Sequence, residues 1–323
     1  MSLLRFLIQR VLQAVPTLLG LVTLVFFLSR LLPGDPSSLY ISPGIPPAVA
    51  EQLRSQFGFD RPLVDQYVAW VTEVFRFELG HSFAHNAPVS EVLRNVFPNT
   101  LILGVSALAL ECVLALLIVA FAVSRLGSTF DRLLSSFTLV LYSLPSFWIG
   151  ILLLLTFSFT FKLFPSSQMH SLSARDTGGL LAFADMLQHL ILPALTVAIP
   201  GAAALARYLR TSITDTLRQE YVVAATGMGL SQSKMFRSYV LPNSVGPVIS
   251  LLGIEVGVLL TGVLVTETLF AWPGMGRIAV MAIFSRDYPM ILGCTLLGGC
   301  VVVVANMLSD VLRAWLDPRV RIE

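Results

Sequence analysis

Apolar residues along this 323-residue chain come in long continuous runs, not in alternation with polar ones. Runs at 11–29, 95–124, 133–161, 186–206, 238–266 and 288–309 carry no charged residue beyond Glu111 in the second and Glu255 in the fifth. A helix of about 20 apolar residues crosses the hydrocarbon core of a bilayer, and these runs reach that length. Membrane-barrel strands alternate apolar and polar positions, which these runs do not. The pattern predicts an all-α polytopic membrane protein with six transmembrane helices. Arg5 and Arg10 precede the first run as they would in a signal peptide. Its apolar core is longer than such a peptide needs, and Leu28-Ser-Arg-Leu-Leu-Pro-Gly-Asp35 holds no small-x-small cleavage site, so a retained helix is expected.

The connecting segments divide the chain further. Residues 1–31 form an N-terminal segment with the first helix, 32–98 an external helical insertion, 99–313 a five-helix core and 314–323 a tail. Within the insertion, 46–57 opens on a proline pair and is stopped by Gly58, the pattern of a short amphipathic helix. Residues 62–77 carry Leu63, Tyr67, Trp70, Val71 and Val74 at helical spacing. That face has no cationic rim of the kind that holds a helix at a lipid surface, so packing on the membrane portion is expected.

Charge sets the orientation. With the N-terminus inside, the inner pieces 1–10, 124–132, 207–237 and 313–323 hold twelve Lys and Arg against five Asp and Glu. The longer outer pieces, 30–98, 162–185 and 267–287, hold nine against eleven. Cations gather on the cytoplasmic side of membrane proteins, which places both ends there. Composition agrees: 55% of the residues are hydrophobic and 12% charged, where soluble domains carry about 25% charged residues. A disordered chain, a nucleic-acid-binding domain and a water-soluble globule are excluded. Cys112, Cys294 and Cys300 are odd in number, lie in apolar runs and have no metal-ligand spacing, so neither a disulfide scaffold nor a metal site is expected.

Few residues inside the spans carry chemistry. An acid in the hydrocarbon costs roughly 2.5–3.5 kcal/mol on insertion scales and faces a cavity or a partner. Glu111 and Glu255 therefore have two readings: carboxylates along a path that attracts a cationic group, or carboxyls protonated or hydrogen-bonded between helices. Glu255 is the stronger path candidate, because Gly253 and Gly257 flank it and permit close approach. Outside, Glu267 with Trp272-Pro273-Gly274 forms a turn-rich rim that would shape the external mouth or meet a partner. His81, His85, His170 and His189 are scattered and suggest no metal centre. Neither His-Glu-x-x-His nor Gly-x-Ser-x-Gly occurs, which argues against an intramembrane enzyme.

The inner loop between the fourth and fifth runs is the most informative. Residues 211–226 read as one helix opened by Ser or Thr, after which Ala224, Ala225 and Gly229 leave a surface without side-chain bulk. Such a surface lets backbone approach backbone in a partner's groove. Gly227-Met-Gly-Leu-Ser-Gln-Ser-Lys234 is no nucleotide-binding loop, because Ser233 stands where Gly must precede the Lys. Ala224-Ala225, Gly229 four residues on, and Leu241-Pro242 resemble the EAA loop of ABC-importer permeases, with Val223 in place of the motif's Glu and Tyr239 in place of its Ile. The nearby acid is Glu220.

More of the chain is similar to one branch, the permeases of the peptide/nickel importer family. The similar stretches are Pro33-Gly-Asp-Pro36, Phe57-Gly-Phe-Asp-Arg-Pro-Leu63, Leu79-Gly-His-Ser-Phe83, Glu267-Thr-Leu-Phe-Ala-Trp-Pro-Gly-Met-Gly-Arg277, Arg286-Asp-Tyr-Pro289 and Leu316-Asp-Pro-Arg319. The resemblance implies a type I importer permease in a bacterial inner membrane, one half of a heterodimer with a second homologous permease. It further implies two ATP-binding subunits docked on a coupling loop at about 207–240, through Glu220, Ala224, Ala225, Gly229, Leu241 and Pro242. Those subunits would hold ATP and Mg, leaving this chain without cofactor or catalysis. An extracytoplasmic solute-binding protein would deliver dipeptides, oligopeptides, glutathione, nickel or metal–chelator complexes. A stand-alone secondary transporter or channel for small polar solutes is the alternative; such proteins show related halves, and no internal repeat is evident here.

Overall fold

The computed structural model describes residues 3–30, 61–76, 78–172 and 178–316, nearly all of them helical. The helix expected at 46–57 lies outside these residues. Helix α1 (Leu3–Arg30) is followed by α2 (Leu63–Phe75), a two-stranded hairpin of β1 (His81–Ser82) and β2 (Ala87–Pro88), and α3 (Val89–Ser124). Then come α4 (Thr129–Ser143), α5 (Ser146–Leu153), α6 (Gly179–Leu217), α7 (Glu220–Gly227) and α8 (Gln232–Met235). Helices α9 (Leu241–Leu269), α10 (Met275–Phe284) and α11 (Tyr288–Leu316) are the last among the described residues. Among the described residues three helices are long and apolar enough to cross a membrane, α3, α6 and 288–311 of α11, and the bent pair α4–α5 with its continuation makes a fourth. The apolar part of α1, Leu12–Leu28, is shorter.

The third apolar run is not one straight helix. Leu144 precedes Pro145, whose ring disfavours helical geometry in the residue before it, and Leu144 is extended (φ −82°, ψ 137°). Helix α4 ends there, and the chain turns by 102° into α5 and a π-helical stretch, Leu154–Thr160. The inner loop also departs from expectation. Residues 211–217 are the end of the long α6, and the break falls at Arg218–Gln219, so α7 is a separate helix of eight residues.

The chain divides into two compact units. The larger comprises 1–6, 101–272 and 304–323, and α6 is its spine, packed on α4, α5 and α9. A Cβ on Gly150 of α5 would stand 2.6 Å from Leu269 Cδ2 and 2.9 Å from Thr196 Cγ2, so that helix seats closely because the residue has no side chain. One core cluster joins Ala115 and Val119 of α3, Ala202, Leu209 and Ile213 of α6, Val222 of α7 and Val248 of α9.

The smaller unit comprises 7–100 and 273–303. Here α2 packs on α1 as its pattern predicts. Tyr67 and Trp70 lie against Val22, Phe26 and Leu292, and the Tyr67 hydroxyl is 2.6 Å from Thr23 Oγ1. Buried Asp287 organises the rest: it accepts from Ser82 Oγ at 2.5 Å, from the Ala84 amide at 3.1 Å, and from the Met290 amide at 3.3 Å in the first turn of α11.

Candidate functional site

Helix α7 is built as a short presented element. Glu220 lies exposed in its first turn, where a negative charge complements the helix dipole. At the other end the Gly229 amide donates to the Thr226 carbonyl (3.0 Å) and the Leu230 amide to the Ala225 carbonyl (3.3 Å), the paired bonds of a Schellman cap. Gly229 has φ +81°, a left-handed conformation that glycine adopts without cost, and a Cβ there would meet nothing within 4 Å. Backbone conformation, not lack of room, is therefore what this position asks of its residue.

The two alanines separate. Ala225 is buried together with Val222, one helical turn before it, and Val222 belongs to the core of α3, α6 and α9. Ala224 is exposed, and so are Tyr221, Val223 and Met228, the last at 76%. Residues 221, 224 and 228 follow helical spacing along one face. The presented surface is thus apolar, with Val223 beside it, and Tyr221 and Met228 complete a face of which the sequence reading named only Ala224 and Val223. The i, i+3, i+7 pattern was the available signal. Leu241, half-buried, opens α9 at the groove formed with Val123, Leu217, Met235 and Phe236, and Pro242 is exposed beside it. Bonds between α6 and α9 steady this end: Ser212 Oγ donates to the Ser244 carbonyl (2.9 Å), and Ser244 Oγ to Thr216 Oγ1 (3.1 Å).

The two membrane acids differ in burial. Glu111 of α3 is fully buried, its carboxyl oxygens have no hydrogen-bond partner among the described residues, and it packs on Gly201 of α6. Glu255 of α9 is partly buried. The rim residues are mostly interior. Trp272 and Glu267 are fully buried, with the Trp272 amide donating to the Glu267 carbonyl at 2.9 Å, and Gly274 is buried as well. Only Pro273 is exposed; its carbonyl accepts from Asn99 Nδ2 at 2.8 Å. These residues set the turn from within instead of offering a contact face. His170 and His189, far apart in sequence, both flank Asp185, at 3.6 and 3.7 Å. No group of three or more candidate ligands among the described residues is disposed to hold a metal ion.

Comparison with known proteins places this geometry. Residues 113–322 match the family described as binding-protein-dependent transport system inner membrane component, and 3–104 match the N-terminal model of such membrane components. The chain is 36% identical over 323 residues to a putative peptide permease protein of Brucella suis biovar 1, covering 99% of this chain and 100% of that one. It is 31% identical to the oligopeptide transport system permease protein AppB of Bacillus subtilis (98% of each chain), and 32% identical to the dipeptide transport system permease protein DppB of Escherichia coli K12 (99% of each). In fold it is similar to a chain of the inward-facing MetNI methionine ABC transporter, with TM-score 0.56, 13% identity, and coverage of 70% of this chain and 96% of that one. The chain belongs to the family of binding-protein-dependent transport system inner membrane components, and is a permease subunit of an ABC importer.

Proposed function

We propose that this subunit crosses the inner membrane six times with both ends in the cytoplasm, that 32–98 is an external insertion, and that it forms half of a translocation path with a second, homologous permease. Separate ATPase subunits dock on α7 from the cytoplasm and bind the ATP and Mg, while an external binding protein delivers the cargo. The cargo is small peptides; the names of the Brucella, Bacillus and Escherichia relatives support that class. Glu255, partly buried between Gly253 and Gly257, faces the path and attracts the cationic end of the cargo.

The observation that carries the docking role is the division of α7 into a buried anchor, Val222 and Ala225, and an exposed apolar face, Tyr221, Ala224 and Met228. An exposed apolar face on a rigidly seated helix is the usual mark of a protein contact. Purification of the tagged chain from its own membrane is expected to bring down an ATP-hydrolysing subunit. Val223→Arg, which adds a charge to the exposed side and leaves the anchor alone, is expected to abolish that co-purification at unchanged expression. Recovery of the wild-type chain without any ATPase, or full co-purification with the variant, refutes the docking role.

A further inference from the structure

Asp131 and Arg210 form the best-defined ion pair in the larger unit. Arg210 Nε donates to Asp131 Oδ1 at 2.8 Å and Nη2 to Oδ2 at 2.7 Å, a two-bond fork that fixes orientation as well as distance. The Asp131 carboxylate is fully buried and also accepts from the Gly127 amide at 3.0 Å, while its own amide donates to Ser128 Oγ at the N-cap of α4. It is held to the backbone at the start of α4, so a displacement of Arg210 passes into that helix and is not absorbed by side-chain rotation.

The position of the pair matters as much as its geometry. Arg210 lies about two turns before the end of α6 at Leu217, hence roughly 10 Å along the helix from the break that leads into α7. Asp131 stands in the first turn of α4, whose other end is the 102° bend into α5. Beside the pair, where α3, α4 and α6 meet, is a void about the size that one water needs. This cavity of about 10 Å³ is bordered by Ile118, Ala122, Leu134, Ser135 and Thr138, and Ser135 Oγ is buried there without a hydrogen-bond partner. A buried ion pair is weak evidence for stability, because desolvation offsets most of its attraction. A pair that ties the start of α4 to α6 near the root of the docking helix is better accounted for by transmission.

We propose that the Asp131–Arg210 pair is a coupling clasp, two positioning residues that carry movement of α7 through the end of α6 into α4 and its bend. The proposal rests on the docking role of α7. Its test uses the complete importer, with both permeases, the ATPases and the binding protein, reconstituted in liposomes, and reads peptide uptake per ATP hydrolysed. The double variant Asp131→Asn/Arg210→Gln, which strands no buried charge, is expected to assemble in normal yield and to hydrolyse ATP near the wild-type rate. Uptake per ATP should fall about tenfold, within the range of coupling between distinct sites. Arg210→Lys, which keeps the charge and loses the fork, should fall between. Unchanged uptake per ATP overturns the clasp, and so does a loss of hydrolysis and uptake in parallel with assembly. Retention of the ATPase by Val223→Arg refutes the docking reading and leaves these ratios to be judged by themselves.

Discussion

Gly201 offers the sharpest test of how α3 meets α6. A Cβ at this position would stand 2.5 Å from Glu111 Cδ, well inside van der Waals contact, in a place where Glu111 is fully buried. Two terms oppose each other in Gly201→Ala. Replacing a mid-helix glycine by alanine gains about 0.5–1 kcal/mol from backbone entropy. Forcing a methyl into a filled interior costs about 1–3 kcal/mol, because the buried Glu111 carboxyl must shift to admit it. The expected net is a loss of about 1–2 kcal/mol. At about 2 °C per kcal/mol for a long chain, the thermal midpoint in detergent should fall by roughly 2–4 °C. Gly104→Ala in α3 is the control, since a Cβ there meets nothing within 4 Å; it keeps the entropic gain alone and should raise the midpoint. The double variant Gly201→Ala/Glu111→Ala removes the obstructing carboxyl, and should be more stable than the sum of the single effects by about 1 kcal/mol or more. Stabilisation by Gly201→Ala comparable to that of Gly104→Ala, or strict additivity in the double variant, refutes the contact.

Two further substitutions probe the caps. Gly229→Ala has room for its methyl but must hold φ +81°, which costs roughly 1–2 kcal/mol, so exchange of the Leu230 amide hydrogen should quicken by about tenfold while the core amides of α6 keep their rates. Equal exchange at Leu230 would show that the left-handed cap is dispensable. Asp287→Ala leaves Ser82 Oγ and the Met290 amide without their acceptor in a buried place, at about 1–3 kcal/mol for each stranded group, and should lower the thermal midpoint further than Gly201→Ala does. A smaller fall than that of Gly201→Ala would mean that the hairpin is held chiefly by its apolar neighbours.

How much was legible in the sequence depended on whether a local rule or a distant neighbour decided the matter. Each of the six apolar runs falls on a helix or on the bent pair, because continuous apolarity over such a length leaves the backbone no other way to satisfy itself. The bend at Leu144 is also local: the residue before a proline is pushed out of the helical region, and a reading that counted apolar residues alone passed over it. The division of α7 from α6 was harder. Residues 211–226 contain no proline or glycine, so nothing in them marks the break at Arg218–Gln219. The motif spacing singled out this segment, but its alanines were read as one small surface, whereas helical geometry sends Ala224 and Ala225 to different sides.

The membrane acids show where local reasoning stops. In a helix that is apolar on every side, as α3 is around Glu111, periodicity carries no phase, so the direction of one carboxyl cannot be read from its own neighbours. What decides it is a distant stretch, Gly201-Ala-Ala-Ala204 of α6, whose small residues admit the Glu111 carboxyl against the helix backbone. Seated there with no exposed surface, Glu111 makes a contact between helices, whereas Glu255 keeps part of its surface accessible. Both acids interrupt a span, and the sequence set Glu255 apart only by its flanking glycines, Gly253 and Gly257. They differ because one faces a helix that has made room for it.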